Sequence, residues 1–176
     1  MVEFVLFSLP TLIYLLVGRR DAAARPTMGL VASARQGWLL AVVLIVVSLG
    51  IGWVTTMAAP PEILHGPGTT GRITGVVAGL SVALRAVGEE VFFRGFVQGL
   101  VAKRWGPVAG VVVQGVAFLI PHLPLIAIST ALVPLVAGQF VIGLLLGWLR
   151  HRARSIAPGA VAHAVVNVVV ALGVLA

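Results

Sequence analysis

Hydrophobic positions along this chain come in long unbroken runs separated by short breaks rich in arginine, proline and glycine, without the period-two alternation of a half-buried strand. The runs cover residues 2 to 18, 38 to 58, 73 to 102, 107 to 123, 125 to 149 and 157 to 175. A helix needs about 20 apolar residues, rising about 1.5 Å each, to cross roughly 30 Å of hydrocarbon. The pattern therefore predicts an all-α fold, a polytopic transmembrane helical bundle of about six spans. Residues 1–72 hold two of these helices with their loops, and residues 73–176 hold a helical core. The first run carries Glu3 near its start and ends at Arg19 and Arg20, so it reads as a span and not as a cleaved signal.

The breaks set the geometry. The turn Lys103-Arg104-Trp105-Gly106-Pro107 is short enough to make the third and fourth helices antiparallel neighbours. Glycines four apart, at Gly75/Gly79, Gly95/Gly99, Gly106/Gly110 and Gly143/Gly147, put small residues on one helix face and favour close approach of neighbours. Lys and Arg collect in three loops: Arg19, Arg20, Arg25 and Arg35; Lys103 and Arg104; Arg150, Arg152 and Arg154. With six spans these loops share one side, expected to be cytoplasmic, while Arg72 lies on the other.

Polar residues inside the apolar runs carry the candidate chemistry. Arg85, Glu89, Glu90 and Arg94 stand within ten residues of the third span. A charge at the bilayer centre costs about 2.5–3.5 kcal/mol, so four unpaired ones would cost on the order of 10 kcal/mol. Helical spacing offers two i,i+4 ion pairs, Arg85–Glu89 and Glu90–Arg94, with the two carboxylates about 100° apart around the helix. Structural salt bridges are one reading; a functional site is the other. Counted from Trp105, Glu89 lies sixteen residues before the turn and His122 seventeen after it, which places both at about the same height, roughly 25 Å along the helices. His122 sits between Pro121 and Pro124, which break the helix end, and Phe118 lies one turn earlier on its face. His163 and Asn167, four apart in the last span, serve either as interhelical hydrogen-bonding groups or as part of the same site. By helix rise His163 lies only about 12 Å from Ser155, so the last helix must be shifted or tilted to reach the others.

Composition narrows the classes of function. Sixty per cent of the 176 residues are hydrophobic and only 10% charged, far from a soluble domain. The net charge of +7 does not point to nucleic acid, because the basic residues form neither one long block nor a pattern interleaved with exposed aromatics. The absence of cysteine removes disulfides, thiolate metal sites and cysteine nucleophiles. No internal repeat is evident, which disfavours a transporter built from inverted halves.

Three segments in order, Glu89-Glu90-Val91-Phe92-Phe93-Arg94, Phe118 to His122 and His163 to Asn167, match Glu-Glu-x-x-x-Arg, Phe-x-x-x-His and His-x-x-x-Asn. In these motifs, and in the Gly-rich run Phe140 to Arg150, the sequence resembles the CPBP family of intramembrane proteases, also called the Abi or CAAX prenyl protease type 2 family, over about residues 85 to 172. The resemblance implies that residues 73–176 form a catalytic core and that Glu89 is the general base, with His122 binding and polarising the water. It also implies that His163 and Asn167 stabilise the oxyanion and that Arg94 holds Glu90. Its alternative chemistry uses Glu89, His122 and His163 as three ligands of a catalytic zinc. It further implies a membrane-embedded or lipid-anchored peptide substrate and an integral, multi-pass location in a prokaryotic plasma membrane. A non-enzymatic immunity or scaffold protein keeping the same polar core, and a proton or ion carrier, are the competing classes.

Overall fold

A computed structural model describes residues 1–58, 73 and 75–173. The predicted loop 59–72, with His65 and Arg72, and the end of the last predicted span lie outside the described residues. The helices are α1 (Val2–Val17), α2 (Ala24–Thr27), α3 (Arg35–Met57) and α4 (Val76–Glu89). From α4 the chain runs through a π-helical segment (Glu90–Val97) into α5 (Gln98–Leu119). A 3-10 turn (Ile120–His122), α6 (Pro124–Ile128) and a second 3-10 turn (Thr130–Leu132) lead to α7 (Val133–Ala153) and α8 (Ala157–Ala171). No strand occurs among the described residues, and the protein is a helical membrane bundle.

Three stretches are long and apolar enough to cross a membrane: Arg35–Met57, Val76–Ile128 and Thr130–Ala153. The second reverses at Gly106, where a φ of 86° demands the residue without a Cβ, so it supplies two antiparallel legs. This is the predicted hairpin turn. Helices α1 and α8, with 16 and 15 residues, are shorter than a full crossing. The fifth predicted span starts late: residues 124–132 form short helical turns, and the long helix begins only at Val133. Pro121 and Pro124 lack N–H donors, and Ser129 adopts extended backbone and caps Ala131 through its hydroxyl, so the helix cannot begin where the apolar run does.

The interior sets polar side chains among apolar ones such as Leu44, Ile142, Leu146 and Leu149. Thr11, Ser48, Glu90, Arg94, Gln98, Gln114, Ser155 and His163 are buried, while Leu6, Leu9, Leu12, Val42, Val46 and many like them face outward. Lipid solvates the apolar exterior, and the polar groups satisfy one another inside. Helix α4 packs between α1 and α8, α3 packs on α7 and α8, and α5 packs on α7. The π segment is the hub, touching α1, α5, α7 and α8.

Candidate active site

Helix α4 delivers Glu89 on its last residue, and the π segment opens with Glu90. Both predicted ion pairs form. Arg94 Nη1 lies 2.8 Å from Glu90 Oε1 with both side chains fully buried, a close charge contact without hydrogen-bond alignment. Arg85 Nε lies 3.8 Å from Glu89 Oε1 and 3.9 Å from Glu3 Oε2 of α1. Arg94 also covers the Phe118 ring at 4.4 Å, and its Nη2 donates to the Gly143 carbonyl at 3.1 Å. The guanidinium thus sits in an aromatic and carbonyl cage that offsets its lost hydration.

His163 joins this cluster from α8. Its Nδ1 lies 2.9 Å from Glu90 Oε1 and its Nε2 3.7 Å from Glu89 Oε2. An ionised carboxylate can only accept, so Nδ1 carries the hydrogen and donates to Glu90, leaving Nε2 to face Glu89. Gly159, one turn before His163, makes the approach feasible: a Cβ there would lie 3.1 Å from Glu90 Oε2.

The depth mismatch expected for α8 is resolved by its starting point. Ser155 is fully buried, its hydroxyl donates to the Val31 carbonyl at 2.6 Å, and Ile156 N–H donates to the Gly29 carbonyl at 3.0 Å. The loop before α3 covers the α7–α8 turn, so α8 begins inside the protein and a short climb brings His163 level with the glutamates.

His122 lies beyond Phe118. Its Nδ1 donates to the Phe118 carbonyl at 2.8 Å, its ring is 4.9 Å from that of Phe118, and Glu89 and His163 lie within coulombic reach. Phe118 stands edge-on to His163 at 5.9 Å, so one phenyl ring separates the two imidazoles. Asn167 points elsewhere. With His163, Ser48, Thr55 and Gln139 it lines a cavity of about 50 Å³ between α3, α7 and α8, which neither glutamate borders. That volume holds a few waters. The structure therefore brings Glu89, Glu90, Arg94 and His163 together, sets His122 across Phe118, and puts Asn167 on the far side of His163.

Zinc is a different matter. Both histidines have Nδ1 committed and Nε2 available, the arrangement that outer-shell partners impose on metal ligands. Among the described residues, however, no three His, Asp or Glu side chains are arranged to hold a metal ion. As placed, Glu89, His122 and His163 do not fit zinc, and no chemical step is routed through it.

Residues 72–169, more than half of the chain, match the family model described as Type II CAAX prenyl endopeptidase Rce1-like. The chain belongs to this family. No curated protein and no solved structure matches it. The Rce1-like match spans all of the side chains just described except Glu3 of α1 and the residues that α3 and its preceding loop contribute. Membership makes the protein a CAAX-type intramembrane endopeptidase in general terms.

Sequence reasoning passed over several buried polar residues that hold this Rce1-like core together. Gln98 Nε2 donates to the Gly147 carbonyl at 2.8 Å and Gln114 Nε2 to the Gly143 carbonyl at 2.9 Å, tying the two legs of α5, before and after Gly106, to α7. Thr11 of α1 donates to the Val91 carbonyl at 3.0 Å. The signal was present, since an amide inside an apolar run needs a partner as a carboxylate does.

Proposed function

We propose that this protein hydrolyses a peptide bond of a membrane-embedded or lipid-anchored peptide, with Glu89 as general base. The observation that carries the reading is the meeting of two helices distant in sequence, where His163 is held by Glu90 at 2.9 Å and turns Nε2 toward Glu89 at 3.7 Å. A water lying beside that gap can bond to both atoms. Glu89 takes its proton as the water oxygen attacks the scissile carbonyl carbon. The C–N bond then breaks as Glu89 returns the proton to the leaving amine. His122, with Nε2 free, orients the water from the far side of Phe118. His163 donates to the oxyanion once its Nε2 carries a proton, contributing about 3–4 kcal/mol to the transition state, and Asn167 joins it by turning its amide out of the cavity between α3, α7 and α8. Glu90 and Arg94 fix the imidazole and do not react.

The test is cleavage of a lipidated CAAX peptide by the purified protein, read by mass spectrometry beside an unlipidated control. Glu89→Gln and His122→Ala are each expected to lower the rate by about 100-fold or more with the fold intact. Full activity in both variants would sink the assignment. Because the three candidate ligands do not fit zinc as placed, a chelator is expected to leave the rate within about twofold, whereas loss of a catalytic zinc would abolish hydrolysis.

A further inference from the structure

The π segment has a hydrogen-bonding consequence that falls on one identifiable atom. In an α-helix each N–H reaches four residues back, and in a π-helix five. When a five-residue ladder returns to a four-residue one, a single carbonyl is passed over. Where α5 resumes ordinary helix, the Gln98 N–H bonds the carbonyls of Phe93, five residues back, and Gly95, three back, and passes over that of Arg94, four back. The stranded carbonyl is that of Arg94.

It is not left bare. Arg150 Nε, from α7, donates to the Arg94 carbonyl at 3.2 Å, while Nη2 of the same guanidinium donates to the Thr27 carbonyl at 2.6 Å. At the other end of the segment Thr11, 2% exposed, donates to the Val91 carbonyl. Two side chains from outside the helix thus hold the widened turn on which Glu90 and Arg94 both sit. A buried carbonyl without a partner is costly, so without these donors the local balance tips toward ordinary α-helix. Restoring that register would turn Arg94 and the residues after it relative to Glu90, whose own N–H bonds the α4 carbonyls of Ala86 and Val87, and would break the ion pair that holds Glu90 against His163.

We infer that Arg150 and Thr11 are positioning residues that keep Glu90–Val97 in π form and thereby hold the Glu90–His163 contact. The inference rests on the protease reading only for its effect on rate; the effect on His163 is independent of it. Lysine at position 150 has one ammonium and cannot reproduce the fork that spans two carbonyls.

The experiment uses the full chain in bilayers with 15N-labelled histidine, comparing wild type with Arg150→Met, Arg150→Lys, Thr11→Val and Thr11→Ser. Arg150→Met is expected to move the His163 Nδ1 resonance and to lower kcat about tenfold or more while KM stays within about twofold. Arg150→Lys behaves like Arg150→Met, Thr11→Val moves the resonance in the same direction, and Thr11→Ser restores it. An unmoved His163 resonance in folded Arg150→Met overturns the inference, as does a moved resonance with unchanged kcat. If Arg150→Met does not fold, the Thr11→Val and Thr11→Ser pair decides in the same way. If the wild type cleaves nothing, the protease reading fails and the resonance alone judges the positioning role.

Discussion

Glu90 and Arg94 show how a charge survives inside an apolar body. Each is fully buried, they meet at 2.8 Å, and each has a further partner in His163 or the Gly143 carbonyl. Removing one member strands the other without water, which typically costs about 3–5 kcal/mol. Arg94→Met is therefore expected to lower stability by that amount in thermal unfolding in detergent. The double variant Glu90→Gln/Arg94→Met should lose less than the sum of the two single variants, because it leaves no unpaired charge; additive losses would show that the pair is not coupled. Glu89 is the opposite case. Its cation, Arg85, is shared with Glu3 at nearly equal distances of 3.8 and 3.9 Å, so neither contact is as close as the one between Glu90 and Arg94.

Helices approach here through missing side chains and bond through carbonyls. A Cβ at Gly143 would fall 2.9 Å from Phe118, and one at Gly147 would collide with the Gln114 amide. These are the carbonyls that accept from Arg94, Gln98 and Gln114, so α7 must lie close for any of those bonds to form. Gly143→Ala is expected to destabilise by about 1–3 kcal/mol through overpacking. Gly50→Ala, on the outer face of α3 with nothing within 4 Å, should be neutral or stabilising by about 0.5–1 kcal/mol. Chemical denaturation of the two variants checks this, and equal effects would mean that glycine entropy, not packing, governs both sites. The four-residue glycine spacing was readable in the chain. Which glycine faces which amide was not, because that depends on the rotation and depth of two separate helices.

At the scale of the whole molecule, the three basic loops gather at one end. Lys103 pairs with Asp21 at 3.9 Å, Arg150 reaches Thr27, and Ser155 reaches Val31. The positive-inside tendency predicts that this end is cytoplasmic. Because the chain has no cysteine, Arg104→Cys supplies a unique reporter. An impermeant maleimide should label it in inverted vesicles and not in intact cells; the reverse would invert the topology.

The solvent, the helical class, the hairpin at Gly106 and the identity of the charged groups follow from the order of residues alone. Long apolar runs and the cost of intramembrane charge are local properties of the chain, so they can be read one segment at a time. The same locality located Glu89, Glu90, Arg94, His122, His163 and Asn167 as candidates and expected the two i,i+4 ion pairs. Which of them meet depends on how the helices pack. The sunken start of α8 brings His163 to the glutamates, the proline-broken stretch after α5 leaves His122 behind Phe118, and the π turn decides how Arg94 is rotated relative to Glu90. Each depends on hydrogen bonds between residues far apart in the chain, such as Ser155 to Val31 and Arg150 to Arg94, and no periodicity within one helix encodes them.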